Sequence, residues 1–345
     1  MLTLIAAVFV FGLLVMAHEA GHFLAAKRAG VTVYEFSLGF GPRLFKLHTG
    51  GTTYSVRLLP LGGYVRMAGM EESDRDVEGS FNRKTVGQRM AVAAAGPLMN
   101  LLLAAVLFIM VFTVLGIPQV INQNLIGEVL PGRPAAQAGI VAGDRITAVN
   151  GQPTASWQEV VESIRLQGAG AKTVKLELER EGQRRVVQVV PELNGQVPQI
   201  GIRPQFVYHR LGILDGIGKG FQQTVALTAA MLLGLLQMFT HGVNPGELAG
   251  PVGITQMIGE AAQGGLANLL YFSGVLSINL AILNLLPIPA LDGSRLVFLL
   301  FEKLRGRPVE PDREGLIHLI GFALLMALIL VLTYQDVMRL FGSGS

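Results

Sequence analysis

His18-Glu19-Ala20-Gly21-His22 closes an apolar run that begins at Met1. Two histidines four apart lie on one face of a helix, one turn above the other, so their ring nitrogens converge on a single ion. Glu19 between them is the residue type that serves zinc hydrolases as general base, beside the ion without binding it. Three ionisable groups placed next to lipid are costly unless they act. The stretch therefore predicts a hydrolytic metal site inside a membrane helix, and the remaining questions are what supplies the third ligand and how the chain returns to it.

The composition fits that setting. Of 345 residues, 51% are apolar and only 15% charged, the balance of a multi-span membrane protein with a modest water-soluble part. A formal charge of +3 gives no reason to expect nucleic acid. With no cysteine, thiolate zinc sites, iron–sulfur clusters and disulfides are excluded, so any metal is held by histidine and carboxylate. The first segment lacks a basic start and a small-residue cleavage site, and it carries the histidine motif, so it is expected to be retained. Gly342-Ser343-Gly344-Ser345 reads as a linker or tag remnant.

Residues 2 to 26 make a first span of roughly 37 Å, stopped by Lys27 and Arg28. Residues 30 to 68 alternate polar and apolar types between glycines, as in Val31-Thr32-Val33-Tyr34 and Thr53-Tyr54-Ser55-Val56-Arg57-Leu58, and predict two short hairpins. Their apolar content places them beside the bilayer, where irregular backbone is tolerated only under protein cover. A second span runs from about Met90 to Leu115, with Gly96-Pro97 and Asn100 near its start. Residues 117–210 read as an inserted α+β domain. It has a strand at Ile126-Gly127-Glu128-Val129, an Asn150-Gly151 turn, a helix capped by Ser156 and Glu159, and a hairpin across Glu181-Gly182-Gln183. Between 211 and 265 the apolar stretch Val225 to Leu236 is nearer 12 residues than 20, which suits an interfacial helix. Leu266 to Leu286 is a third span, Arg295 to Arg313 a polar connection, and Leu316 to Leu332 a fourth span. The membrane core thus divides into residues 1–116 and 266–341, with 342–345 as the tail.

Ten lysines and arginines between Lys27 and Arg89, Arg75 among them, and five between Arg295 and Arg313 place both connections in the cytoplasm. With four spans, the histidine motif lies toward the cytoplasmic side, the inserted domain lies outside, and the third span delivers Asp292 to the depth of His18 and His22. Hydrolytic zinc needs about three protein ligands and one open position. Asp215, Glu247, Glu260 and Asp336 fall on the outer side or in surface stretches. His48, His209, His241 and His318 have no partner spacing and read as solvent or interface histidines. Asp292 follows a helix broken by Pro287 and Pro289, whose end opens to a cavity, and it is the expected third ligand.

Four motifs and the inserted domain carry a resemblance. HEAGH, Pro60-Leu61-Gly62-Gly63-Tyr64-Val65, Gly96-Pro97-Leu98-Met99-Asn100 and Asn284-Leu285-Leu286-Pro287-Ile288-Pro289-Ala290-Leu291-Asp292-Gly293 together resemble the site-2 protease family, in its bacterial regulator-of-sigma-E branch. The inserted domain resembles a permuted bacterial PDZ domain, present here once. The resemblance implies a polytopic α-helical membrane protein with about four transmembrane helices, membrane-associated β-hairpins and an inserted α+β PDZ domain. It implies a zinc metalloendopeptidase of the bacterial cytoplasmic membrane that cuts transmembrane segments of single-pass proteins, such as anti-sigma factors or remnant signal peptides. By that likeness His18, His22 and Asp292 bind Zn2+, Glu19 is the base, and Asn284 contacts the substrate backbone. The likeness also pairs unwound substrate with the hairpins, at Gly62, Gly63, Tyr64, Val65 and Arg66, and sets the PDZ peptide groove at Ile126, Gly127, Glu128 and Val129. The rival reading is a membrane scaffold whose PDZ-like domain binds peptide and whose metal is structural.

Overall fold

The computed structural model describes residues 1–70, 72–74, 77–120, 124–170, 172–194, 197–241 and 249–342. Arg75, Glu247 and residues 343–345 of the expected tail lie outside the described residues. The chain forms two units: Met1–Leu115 with Leu211–Ser345, and Gly116–Arg210.

The first unit is mainly helical. Helix α1 (Leu2–Arg28) holds the histidine motif and ends on Lys27 and Arg28. Strands β1 (Val33–Thr49) and β2 (Thr52–Met67) follow. Instead of two short hairpins they form one long, irregular antiparallel pair, broken by register shifts. Glu35 to Leu38 stand opposite Thr53 to Val56 on one side and Gly63 to Arg66 on the other, so the end of β2 forms an outer edge. The glycines at 39, 41 and 62 adopt positive φ and allow this folding back. A buried carboxylate fixes it: Glu35 accepts hydrogen bonds from Ser55 Oγ at 2.7 Å and from Arg57 and Arg43, both at 2.9 Å. Burial pushes the Glu35 carboxyl up, but the bonds from Ser55, Arg57, Tyr64 and Arg43 outweigh it and hold it at about 2.

Helix α2 (Val86–Met110) opens with a capping box in which Thr85 Oγ1 accepts from the Gln88 N–H and the Gln88 side chain accepts from the Thr85 N–H. Small residues on its buried face, Ala93, Gly96, Ala104 and Ala105, let neighbouring helices approach closely. After the second unit, α5 (Ile213–His241), α6 (Pro251–Gln263), α7 (Leu266–Leu285), α8 (Asp292–Arg305) and α9 (Pro311–Gly342) complete the bundle. Helix α7 runs opposite to α2: Tyr271 meets Phe108 with ring centroids 5.1 Å apart, and Ser277 donates to the Asn100 carbonyl at 2.7 Å. Among the described residues, five helices, rather than the four expected, are long and apolar enough to cross a membrane. The additional one is Ile213–Met238, the least apolar of them, whose helix extends well past the short apolar core seen in the sequence. The expected polar connection after Asp292 is instead the amphipathic helix α8, tied to α2 by the Arg89–Glu302 ion pair. Asp336, expected at the surface, is buried and accepts from the backbone N–H groups of Gly250 and Gly253 at the start of α6.

The second unit contains β3 (Ile117–Val120), β4 (Ile126–Val129), α3 (Pro134–Gln137), β5 (Arg145–Val149), β6 (Gln152–Pro153) and α4 (Trp157–Gln167). The chain continues through β7 (Val174–Arg180), β8 (Gln183–Val189), β9 (Glu192–Asn194), β10 (Val197–Gln199), β11 (Ile202–Pro204) and β12 (Phe206–His209). Its main sheet has the order β6-β5-β7-β8, and β4 pairs with β11, β3 with β12 and β9 with β10. Ser156 caps α4 by accepting from the Glu159 N–H. Val149, Val160, Val174, Leu176 and Ile146 fill an aliphatic core.

Candidate metal centre

Helix α1 brings His18 and His22 to one face, and α2 meets that face at Gly96. A methyl group on Gly96 would stand 2.3 Å from His22 Nε2 and 2.8 Å from His18 Cε1, so a side chain there would displace both rings. From the opposite end of the sequence, the turn after α7 delivers Asp292 as the first residue of α8. His18 Nε2 and His22 Nε2 lie 3.1 and 3.3 Å from Asp292 Oδ2, and 3.1 Å from each other.

The triangle of donor atoms has the dimensions of a tetrahedral face. Zinc at about 2.0–2.1 Å from three ligands sets them about 3.3 Å apart. Backbone contacts also prepare the rings. His22 Nδ1 lies 2.8 Å from the Val92 carbonyl, which only accepts, so Nδ1 carries the proton and Nε2 keeps its lone pair. His18 Nδ1 lies 3.3 Å from the side-chain amide of Asn100, which is fully buried and whose Oδ1 has no partner. Amide nitrogen and oxygen exchange by rotation, and Oδ1 placed against His18 Nδ1–H satisfies both groups. Such partners orient ligand histidines. By donor chemistry and by spacing the three residues fit Zn2+, and they are the one group of three donors among the described residues able to hold an ion.

A cavity of about 480 Å³ opens on this triangle. Glu19 lines it without joining the donor set, as do Gly63, Tyr64 and Val65 on the outer edge of β2. Gly63 is required for this approach, because a methyl there would stand 3.0 Å from Glu19 Cγ and 2.8 Å from the Ser37 carbonyl. Tyr64 is held from behind, its hydroxyl accepting from Arg57 at 2.6 Å. Gly62 packs against the Phe40 ring, and Arg66 lies over the Tyr34 ring at 5.4 Å. Asn284 sits half-buried in the last turn of α7, outside the residues that line the cavity.

The reading of His318 as a solvent or interface histidine is corrected: it lines the same cavity and its Nδ1 accepts from the Ala290 N–H at 3.0 Å. Arg295 and Phe322 line it too. Arg295 follows Asp292 by three residues, a helical spacing that could have flagged it. His318 carries no comparable signal, because its partner is a backbone group. In the second unit Ile126 belongs to the aliphatic core, Gly127 packs on Pro204 and Gln205, and Glu128 pairs with Arg203 at the surface; Val129 pairs in register with Ile202.

Comparison with known proteins gives four findings. Peptidase family M50 matches residues 6–328. The zinc metalloprotease RasP of Geobacillus kaustophilus is 35% identical, with 98% of each chain covered. The regulator of sigma-W protease RasP of Bacillus subtilis is 32% identical, covering 98% of this chain and 99% of its own. The solved PDZ domain of the SdrC-like protein from Listeria innocua is 26% identical and covers 26% of this chain and 100% of its own, with a TM-score of 0.23.

Proposed function

This chain belongs to peptidase family M50 and is a zinc metalloprotease, and from that premise we propose that it cuts single-pass membrane proteins within their transmembrane segments. Anti-sigma factors are one proposed substrate class, in keeping with the relative named as a regulator of sigma-W, and remnant signal peptides are another. The observation that carries the reading is the triangle His18, His22, Asp292 with Glu19 beside it in one cavity, within a helical membrane unit.

In this reading His18 Nε2, His22 Nε2 and Asp292 Oδ2 hold the ion. Zinc in that position supplies a Lewis acid, which acidifies water and polarises a carbonyl oxygen. Glu19 takes a proton from the attacking water and passes it to the departing amine. A helical substrate protects its peptide bonds with its own hydrogen bonds, so it must first be extended. The edge at Gly62, Gly63, Tyr64, Val65 and Arg66 replaces the lost partners by pairing as a strand, with the Asn284 amide assisting. The second unit is proposed to be a PDZ domain that takes peptide at Ile126–Val129 or excludes bulky substrates by size.

Sidedness follows from the charges: residues 27–89 and 295–313 are cytoplasmic, the active site is near that side, and the inserted unit is outside. For α5 the interfacial placement is proposed, because its helix is the least apolar of the five candidate spans.

The decisive experiment is cleavage of a tagged single-pass reporter in detergent, with bound zinc measured. Glu19→Gln is expected to keep its zinc and to lose cleavage by about 100- to 10,000-fold. Full activity in that variant would overturn the assignment of Glu19, and a fourth protein ligand on the ion would favour the scaffold reading.

A further inference from the structure

The turn Leu286–Leu291 carries Asp292 into the site, and its internal hydrogen bonds are all local: Ile288 N–H to Leu286 O, Leu291 N–H to Ile288 O, and Ser294 N–H to Leu291 O. Ala290 is the exception. It is a non-glycine residue with φ +75°, a conformation that persists only where the surroundings impose it. Its N–H donates to His318 Nδ1 at 3.0 Å, which is the one hydrogen bond from this turn's backbone to an element other than the flanking α7 and α8 among the described residues.

Helix α9 touches the turn a second time, one helical turn further on. A methyl on Gly321 would stand 2.3 Å from Pro289 Cβ and 2.7 Å from the Pro289 carbonyl oxygen, so glycine there lets the helix close on the turn. His318 and Gly321 are three apart and share a face. The ring of His318 lies 5.7 Å from that of Phe298 on α8, while its other nitrogen is buried without a hydrogen-bond partner, 3.7 Å from Glu314 Oε1. Because Nδ1 accepts, the proton sits on Nε2, on the Glu314 side.

Resting on the reading of Asp292 as a ligand, we propose that His318 is a positioning residue: through the Ala290 N–H, with Gly321 seating Pro289, it fixes the strained turn that sets Asp292 Oδ2 against His18 and His22. It does not touch the ion, so its effect reaches the reaction through the geometry of the third ligand.

The test is zinc affinity of the purified full-length protein, by chelator competition, alongside reporter cleavage. His318→Phe keeps the bulk and removes the acceptor, and it is expected to weaken zinc about 10- to 100-fold, the range for lost outer partners of a metal ligand. His318→Asn places an amide oxygen where Nδ1 was, and should stay within about threefold of the native protein. His318→Gln, whose amide lies at the Nε2 position, should behave like the phenylalanine variant. Gly321→Ala leaves His318 intact and should weaken zinc by displacing Pro289, which keeps the test open if the phenylalanine variant fails to fold. Native zinc affinity in His318→Phe or in Gly321→Ala, or failure of His318→Asn to rescue, overturns the proposal. Asp292→Asn separates the two readings: if it binds zinc normally, the ligand assignment is what fails.

Discussion

Asp144 in the inserted unit and Asp292 in the helical unit are both withdrawn from water, yet their partners differ in kind. Asp144 is fully buried, and both of its oxygens are taken by one guanidinium, Arg180 Nε at 2.6 Å and Nη2 at 2.7 Å, with the Val141 N–H at 3.0 Å. Burial pushes its carboxyl up, and Arg180 with the Val141 N–H outweighs it, holding the group below the usual aspartate range. Every strong acceptor direction is spent on a fixed donor, which is what a carboxylate does when it closes a fold. Asp292 Oδ2 faces the Nε2 atoms of two imidazoles whose protons sit on Nδ1, toward the Val92 carbonyl in His22 and toward the Asn100 amide in His18. Lone pairs converging on lone pairs leave the group unsatisfied until a cation arrives. The difference teaches how to tell a carboxylate that holds structure from one that holds an ion: count donors, not neighbours.

Exchanging the same atoms at both positions breaks the comparison if it is wrong. Asp292→Asn should lower zinc affinity by roughly 100-fold or more, with little change in thermal stability of the metal-free protein. Asp144→Asn should leave zinc affinity and reporter cleavage unchanged while lowering the melting transition of the inserted unit by about 5–10 °C. Differential scanning calorimetry and chelator competition on the two variants read both quantities. A destabilised Asp292→Asn with intact zinc binding would reverse the two roles.

The same contrast explains what could be seen in the sequence. His18, Glu19 and His22 stand in one local pattern, and Asp292 follows two prolines at the end of an apolar run, so residue types and local context pointed to them as candidates, and the fold brings the three donors together. The inserted unit was legible for the same reason: turn glycines, the Ser156 cap and alternating strands are all local signals. What escaped depends on contacts between distant segments. The long pairing of β1 with β2 hangs on Glu35 and its arginines, helix α8 on Arg89–Glu302, and the place of His318 on one backbone N–H at Ala290. Helix α5 was cut short because its apolar core is brief while its flanking Gln222, Gln223 and Gln237 still continue the helix.

Gly96 sharpens the comparison from the side of the helix packing. A Gly96→Ala methyl would meet His22 Nε2 at 2.3 Å, so the ring must turn and the triangle open. Zinc affinity should fall about 10- to 100-fold, while Asp144 and the inserted unit are untouched. Measured by chelator competition, an unchanged affinity would mean that the α1–α2 contact is looser than its geometry indicates.

The smallest expected effect concerns acid. Glu35 resembles Asp144 in being closed by arginine, although it belongs to the helical unit. Its carboxyl is held at about 2 in the folded chain, against about 4.5 for the ordinary group. A depressed folded value means that the folded state binds its proton later than the unfolded one, so the contribution is complete above about 4.5 and declines as pH falls toward 2. Hydrogen-exchange protection of β1 and β2, referred to the intrinsic exchange rate at each pH, should therefore fall below about pH 4.5 in the native protein. In Glu35→Gln the exchange should already be faster at neutral pH, because Arg57 and Arg43 lose their charged acceptor, and it should change less between pH 5 and 3. If both proteins show the same acid response, the network around Glu35 does not hold the strand pair, and the edge at Gly63 to Arg66 owes its position to the packing of Val65 and Met67 against Ala26 and Val92 instead.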